Sequence, residues 1–283
     1  MSSRVRKLPA LKLSLLPSAL SQAVSVRRLH REQIGRLPRL VFPKSFNEKI
    51  LHRRLFDRDS RIPDLIDKAK VKDFVRQQLG DEWITPSLYE GEDLPPLAER
   101  NWPVPFVVKA THGSHMNAFV RSTDVTGETW REIEASIKKW KAEDYGRWPY
   151  TIMRKWILVE PFIGNGDPPA DYKIFVFGGR AHYIQVDLDR FGIHKRVLFD
   201  RDWNKQPFTY RYPSDDREVK RPSSLSSMIE AAETLGRDFS FVRVDFYEID
   251  QMPRFGEMTF FPHSGLARFH PDEYDFRLGA LWP

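Results

Sequence analysis

The stretch Phe241–Pro262, FVRVDFYEIDQMPRFGEMTFFP, limits the fold of this chain more than any other. From Val242 to Tyr247 apolar residues alternate with polar or charged ones, the two-residue period of a strand. Arg243, Asp245 and Tyr247 fall on one face, and Val242, Val244 and Phe246 on the other. Ile249 to Pro253 reads as a turn, and a second strand returns with Phe255, Glu257 and Thr259 on one face. A hairpin symmetric about Gln251 sets Asp245 opposite Glu257 and Arg243 opposite Thr259. Residues opposed in this way hold their Cβ atoms about 4.5–5.5 Å apart. Two carboxylates that close repel each other unless a cation or a shared proton lies between them. Oxygen ligands without His or Cys nearby suit a hard cation, Mg²⁺ in particular where phosphate completes its shell. The alternative is that Arg243 neutralises Asp245 and Glu257 faces water.

A chain of 283 residues can bury a sizeable core, as one large domain or as two or three lobes. The absence of cysteine excludes disulfides, thiolate metal sites and a thiol nucleophile. No stretch reaches the roughly 18 apolar residues of a membrane span. The net charge of +6 is modest, but it is concentrated at the start, where residues 1–40 hold nine Lys or Arg and one acid, Glu32. Leu11–Val24 is weakly apolar after this basic start, yet Lys12, Pro17 and scattered serines break it, so a cleaved leader is not expected. Such an arm can lie on anionic lipid or bind a polyanion, or it can be a solvated tail or surface helix. The expected location is cytoplasmic, with a peripheral place at the inner membrane face left open, and no nucleic-acid partner is expected.

Along the chain, Ser45 with Glu48 has the spacing of a capping box and opens a helix to Phe56. Pro63 to Leu79 reads as one further helix closed by Gly80, with Lys68, Lys70 and Lys72 along a solvated side. Phe106–Ala110 and Ala118–Val120 read as a hairpin whose tip, THGSHMN, is small and polar. Backbone N–H groups in such a tip can receive phosphate oxygens, with Lys109 at its base, or the tip is an ordinary turn. Thr129–Lys141 is an amphipathic helix, and Trp156–Phe162 a buried strand followed by a Gly- and Pro-rich loop at 164–169. Strands flank Gly178-Gly179, the second ending in Asp187-Leu188-Asp189. That D-x-D offers a rival reading, a glycosyltransferase holding a metal on a nucleotide diphosphate. Arg190–Pro222 is charged and without periodicity, and Ser223–Leu235 is a helix ended by Gly236. Pro262–Gly265 is a turn able to face the acidic hairpin.

As an ordered set, these pieces resemble the TupA-like branch of the ATP-grasp family. The stretches that carry the likeness are FNEKI (46–50), DKAKVKDFV (67–75), VVKATHGS (107–114), VEPF (159–162), DYKIFVFGG (171–179), FVRVDFY (241–247) and FGEMTFFPHSG (255–265). The likeness runs over roughly residues 44–280, and residues 1–43 fall outside it.

The resemblance implies an α+β fold in which two lobes with antiparallel sheets enclose ATP. It divides the chain into a basic arm (1–43), a helical or α+β region (44–105), a small lobe (106–160) and a large lobe with the metal site (161–283). It implies ATP and Mg²⁺ as cofactors, and joining of a carboxylate to an amine through an acyl phosphate. Asp245 and Glu257 match the metal ligands. Lys109 matches the nucleotide lysine, with Lys68 beside it and His112, Gly113 and Ser114 in the phosphate loop. Glu160 matches the hinge acid, where backbone groups of Glu160 and Phe162 would read the adenine edge. Lys173 and Arg243 take the catalytic places near the acyl phosphate. The branch's association with bacterial surface polysaccharides implies an acidic sugar and an amino acid or amino sugar as partners. A protein that keeps the fold and binds nucleotide without turnover is a further alternative. Two positions depart from the pattern: Thr259 stands where Asn is common, and His115 where a small glycine is common.

Overall fold

The computed structural model describes residues 18–123, 125–143, 145, 148–164, 169–189 and 192–283. Residues 1–17 of the basic arm and 165–168 of the Gly/Pro loop lie outside the described residues. The helices α1 (Ser18–Ile34), α2 (Phe46–Phe56), α3 (Ile62–Ile66) and α4 (Val71–Leu79) come first. Then follow β1 (Tyr89–Gly91), β2 (Phe106–Ala110), β3 (Asn117–Val120), α5 (Gly127–Ala142) and β4 (Ile157–Pro161). Next are β5 (Asp171–Phe177), β6 (Arg180–Leu188), β7 (Lys195–Asp200), β8 (Thr209–Tyr210) and α6 (Leu225–Gly236). The chain closes with β9 (Phe241–Ile249), β10 (Met252–Thr259), β11 (Phe269–His270) and α7 (Glu273–Leu281).

The larger sheet has the order β10-β9-β5-β6-β7, antiparallel throughout. The predicted hairpin forms its edge, with Glu257 opposite Asp245 and Thr259 opposite Arg243. Its turn is shorter than expected. Asp250 and Gln251, at φ 49° and 65°, turn the chain in two residues, as tight hairpins with matching twist do. A bulge at Gly256 then shifts the register between Phe255 and Glu257. Phe255 therefore pairs with Phe246 and enters the core, and it does not share Glu257's face as the simple alternation requires. The bulge needs glycine, because a Cβ there would stand 3.0 Å from the Asp245 carbonyl oxygen.

One face of this sheet is apolar. Tyr172, Ile174, Val176, Val242, Val244 and Ile184 join a core with Met228, Ile229 and Ala232 of α6. The opposite face is divided. At one end Phe175, Phe177 and Phe241 pack under Phe46 of α2, with ring centroids 6.0, 5.9 and 4.9 Å away. At the other end the same face turns polar, with Asp171, Lys173, Gln185, Asp187, Arg243 and Asp245 all buried. Burying so many polar groups is tolerated only where each is paired.

The smaller sheet has the order β1-β4-β2-β3 and packs on α5 through Trp130, Ile133 and Ile137. Its edge strand β1 comes from the region ahead of residue 106, and β4 runs through Pro161.

Two regions differ from the sequence reading. The expected helix over 63–79 is broken into α3 and α4, because the buried Asp67 carboxylate accepts the backbone N–H groups of Ala69 and Lys70 at 2.9 and 3.0 Å. These bonds compete with helix continuation, as short acidic side chains do. The segment 190–222, expected to be irregular, contains β7 and β8. All of Arg196–Phe199 is buried, which erases a two-residue period.

The basic arm is in part a built element. α1 lays Val26 against Leu40 and Leu51 of α2, and Arg36 pairs with Asp272 (2.7 Å) and with Asp275, which is fully buried. The capping box on α2 forms as the sequence implies.

Candidate functional site

The polar end of the large sheet is a connected set of charges. Lys173 on β5 stands opposite Asp245 on β9, and Asp245 opposite Glu257 on β10. Lys173 Nζ donates to Asp171 Oδ2 at 2.5 Å and to Asp245 Oδ2 at 2.6 Å. Arg243 binds Asp245 through Nε and Nη2, both at 2.7 Å. Its Nη2 also reaches Thr259 Oγ1 at 3.1 Å and Glu257 Oε1 at 3.4 Å. Burial alone would lower the Lys173 ammonium, but Asp171 and Asp245 outweigh it and hold it above its ordinary value. Burial would raise the Glu257 carboxyl, yet Lys68, Lys173 and Arg243 bring it down to about 2.

A second set joins the small lobe to the α3–α4 region. Glu160 on β4 is gripped by Lys109 on β2 at 2.6 Å and by Lys72 on α4 at 2.5 Å. Lys68 lies in the break between α3 and α4. Its backbone N–H donates to the Thr111 carbonyl at 3.1 Å, and its ammonium to the Gly113 carbonyl at 2.5 Å. Burial lowers the Lys68 ammonium, and the field of Glu257 acts against that. Lys68 therefore ties the polar loop of the small lobe to the helices that pack on the large sheet.

The other expected loop and hinge residues are less uniform. Ser114 is exposed at the loop tip beside His115, whose φ of 62° gives it a backbone that glycine would adopt more readily. Gly113 is tightly confined, since a Cβ there would meet Met116 Sδ at 2.3 Å. The buried His112 turns its ring away from the loop tip and donates Nε2–H to the Trp140 carbonyl of α5 at 3.0 Å. Its Nδ1 is buried and has no hydrogen-bond partner among the described residues. The Phe162 N–H already donates to the Pro105 carbonyl at 2.9 Å, so of its two backbone groups the carbonyl remains for a base edge.

The D-x-D pair does not converge. Asp187 is buried and taken up by Arg196 (2.6 Å) and Gln185 (3.1 and 3.2 Å). Asp189 is half exposed at the strand end and pairs with Arg217. Two acids held by different arginines leave no shared point for a diphosphate-bound metal.

Whether the hairpin acids suit Mg²⁺ follows from their partners. The donors are all oxygen. Glu257 keeps 37% of its side chain exposed, with Oε1 turned to Thr259 and Arg243. Asp245 would share an oxygen now facing Arg243 or Lys173. Among the described residues no group of three or more His, Cys, Asp or Glu side chains is arranged to hold a metal ion. A cation bound through one or two carboxylates and completed by substrate phosphates fits this set.

The profile of the TupA-like ATPgrasp family matches residues 48–282. The chain belongs to the TupA-like ATP-grasp family. It has that family's α+β fold, two lobes built on antiparallel sheets. No curated protein matches it. Among solved structures it is similar to D-alanine–D-alanine ligase from Bacillus anthracis, at 15% identity and a TM-score of 0.43, over 69% of this chain and 57% of that one. It is similar to L-amino acid ligase from Bacillus licheniformis at 15% identity and a TM-score of 0.46, over 83% and 53%. The third is N5-carboxyaminoimidazole ribonucleotide synthetase from Thermus thermophilus, at 15% and 0.44, over 80% and 52%. The chain thus spans just over half the length of the structures it matches.

Within this TupA-like ATP-grasp chain, Lys72 and Asp171 join the two charge sets without being legible as members from sequence. The sequence pattern puts Lys72 on a solvated side, yet it is buried and also donates to the Thr85 carbonyl (2.8 Å) and Ser87 Oγ (2.9 Å). A signal is available, since Lys72 lies one helical turn beyond Lys68 within the quoted DKAKVKDFV stretch.

Proposed function

We propose that this protein is an ATP- and Mg²⁺-dependent carboxylate–amine ligase of bacterial cell-surface polysaccharide biosynthesis. The acid is an acidic sugar such as a hexuronate, and the amine an amino acid or amino sugar. One observation carries the reading: Lys68, between helices packed on the large sheet, bonds the Thr111 and Gly113 carbonyls of the small lobe's loop, while Asp245, Lys173 and Arg243 cluster on the large sheet. Cations set where the two lobes meet, beside a carboxylate pair, are suited to ATP phosphates, and to little else that the family's chemistry requires.

Bound Mg²⁺ would neutralise charge on the phosphates, with Asp245 and Glu257 to hold it. Lys109 and the backbone of Gly113 and Ser114 hold the nucleotide phosphates, with Lys68 bracing the loop. Lys173 and Arg243 stabilise the anionic acyl phosphate that forms on the acid. The amine then attacks the acyl carbon, and phosphate leaves. The reading is tested by ADP release from purified protein with ATP and Mg²⁺, pairing uronic acids with amino acids and amino sugars. ADP release that needs both an acid and an amine supports it, and release without dependence on either refutes it.

A non-catalytic nucleotide binder is favoured by one feature, the engagement of both Asp245 oxygens by Arg243 and Lys173. Thermal stabilisation by ATP–Mg²⁺ with no ADP release across the panel would support that reading. Stabilisation by UDP-sugar and Mn²⁺ in its place would return the D-x-D alternative.

A further inference from the structure

Between α1 and α2 the chain presents Arg39–Lys44, RLVFPK, to solvent. Val41 is 69% exposed and Phe42 81%, with Leu37 nearby in sequence at 51%. The segment is nonetheless firmly held. Leu40 is buried against Val26 and Leu51, and its carbonyl accepts from His52. The Glu48 carboxylate accepts the backbone N–H groups of Arg39 and Lys44 at 3.0 and 2.9 Å, one at each end. A loop pinned at its middle and both ends keeps two adjacent large apolar side chains in water, where they cost free energy.

Exposed cations lie on both this segment and α1, whose Val26 packs on Leu40. Arg39 and Lys44 flank the pair and are exposed, as are Arg27, Arg28 and Arg31 on the outer side of α1. Among the described residues only Arg28 of these five has an acid partner, Glu32 at 3.1 Å. No helix among the described residues is long and apolar enough to cross a membrane.

We propose that this face docks on an anionic bilayer surface, with Val41 and Phe42 entering the headgroup boundary and the five cations meeting lipid phosphates. Apolar tips flanked by cations fit a surface that is apolar beneath and negative above. A second copy of the same face would bring like charges together, and a soluble polyanion would leave Val41 and Phe42 in water. The proposal stands apart from the ligase reading.

The test is co-sedimentation of the full chain with phosphatidylcholine vesicles with and without about one-third phosphatidylglycerol. Binding is expected only with the anionic lipid, and it should vanish at about 0.5 M salt. Arg39→Glu with Lys44→Glu should weaken it by roughly fivefold or more per residue. Val41→Ser with Phe42→Ser should weaken it roughly tenfold or more, and both exposed positions leave the fold intact by circular dichroism. Equal binding to neutral vesicles, or none to either, overturns the proposal. So does binding that polyphosphate competes away and that Val41→Ser with Phe42→Ser leaves unchanged. Concentration-dependent dimerisation abolished by the same serine pair would assign the face to a second copy and overturn it as well.

Discussion

Arg243 and Asp245 are joined by two hydrogen bonds of 2.7 Å each, two residues apart on one strand face and both buried. Asp245 also takes Lys173, so it is the hub of the buried network, whereas Glu257 sits at its half-exposed rim. Asp245→Asn and Glu257→Gln should each remove most ADP formation if the proposed metal assignment holds, because each deletes a charge that would hold the cation. They should differ in stability. Removing one partner of a buried ion pair costs about 3–5 kcal/mol, and a rim carboxylate costs about 1 kcal/mol or less. Urea denaturation of both variants checks this. Wild-type turnover in either variant would remove the metal assignment.

Glu257 also sets a pH dependence. Its carboxyl is held at about 2, below the ordinary 4.5, so between those values the folded chain binds fewer protons than the unfolded one. Its contribution to stability is therefore complete above the ordinary value and is lost as pH falls toward 2. The difference in urea midpoint between wild type and Glu257→Gln should shrink over that window and stay level above it. The effect should be small, because the side chain is 37% exposed. A difference that grows on acidification would contradict the assignment.

Lys109 and Lys173 should separate binding from chemistry. Lys109 lies on the small lobe and is paired with Glu160. If it holds phosphate equally in ground and transition states, Lys109→Met raises the KM for ATP and leaves kcat near wild type. Lys173 stands between Asp171 and Asp245, so Lys173→Met should lower kcat more than it weakens ATP. Small and equal effects on both constants in both variants would move the phosphate site elsewhere, starting with Lys68.

Lys72 shows what a sequence makes legible and what it hides. The hairpin register from Asp245 to Thr259 and the capping box at Ser45 follow from local pattern, because each depends on residues a few positions apart. The bulge at Gly256 is hidden, since alternation says nothing about one extra residue. β7 is hidden because Arg196 in a buried strand is satisfied by Asp187 on the neighbouring strand, a pairing that periodicity cannot supply. Lys72 is hidden for the same reason, its acid lying 88 residues away (160 − 72) at Glu160. Lys72→Met should destabilise by about 3–5 kcal/mol, and Glu160→Gln in the same chain should recover part of that. An additive double-mutant cycle would make the pair incidental.

The N-terminal region yields the last prediction. The likeness read from the sequence begins near residue 44, and the family profile matches from residue 48, so the sequence alone predicts that removal of residues 1–40 spares the core. The structure argues otherwise for the second half of that segment. Asp275 is fully buried, and its carboxylate accepts the Asn47 N–H at 2.9 Å and is neutralised by Arg36. Burial already pushes this carboxyl above its ordinary value, with Asn47 and Arg36 acting against it. The Gln33 carbonyl accepts from Arg268 at 2.9 Å, and Val26 covers Leu51. Deleting 1–40 strands a buried carboxylate and opens an apolar patch, so Tm should fall by several degrees. Deleting 1–17 keeps every one of these contacts, and its Tm should match the full chain. Arg36→Met in the intact protein should reproduce the larger share of the loss, because it leaves Asp275 charged or forces it to take a proton. That loss should ease as pH falls and Asp275 becomes neutral, which a simple packing defect would not do. Equal Tm for all four proteins would show that α1 rests on the core without supporting it.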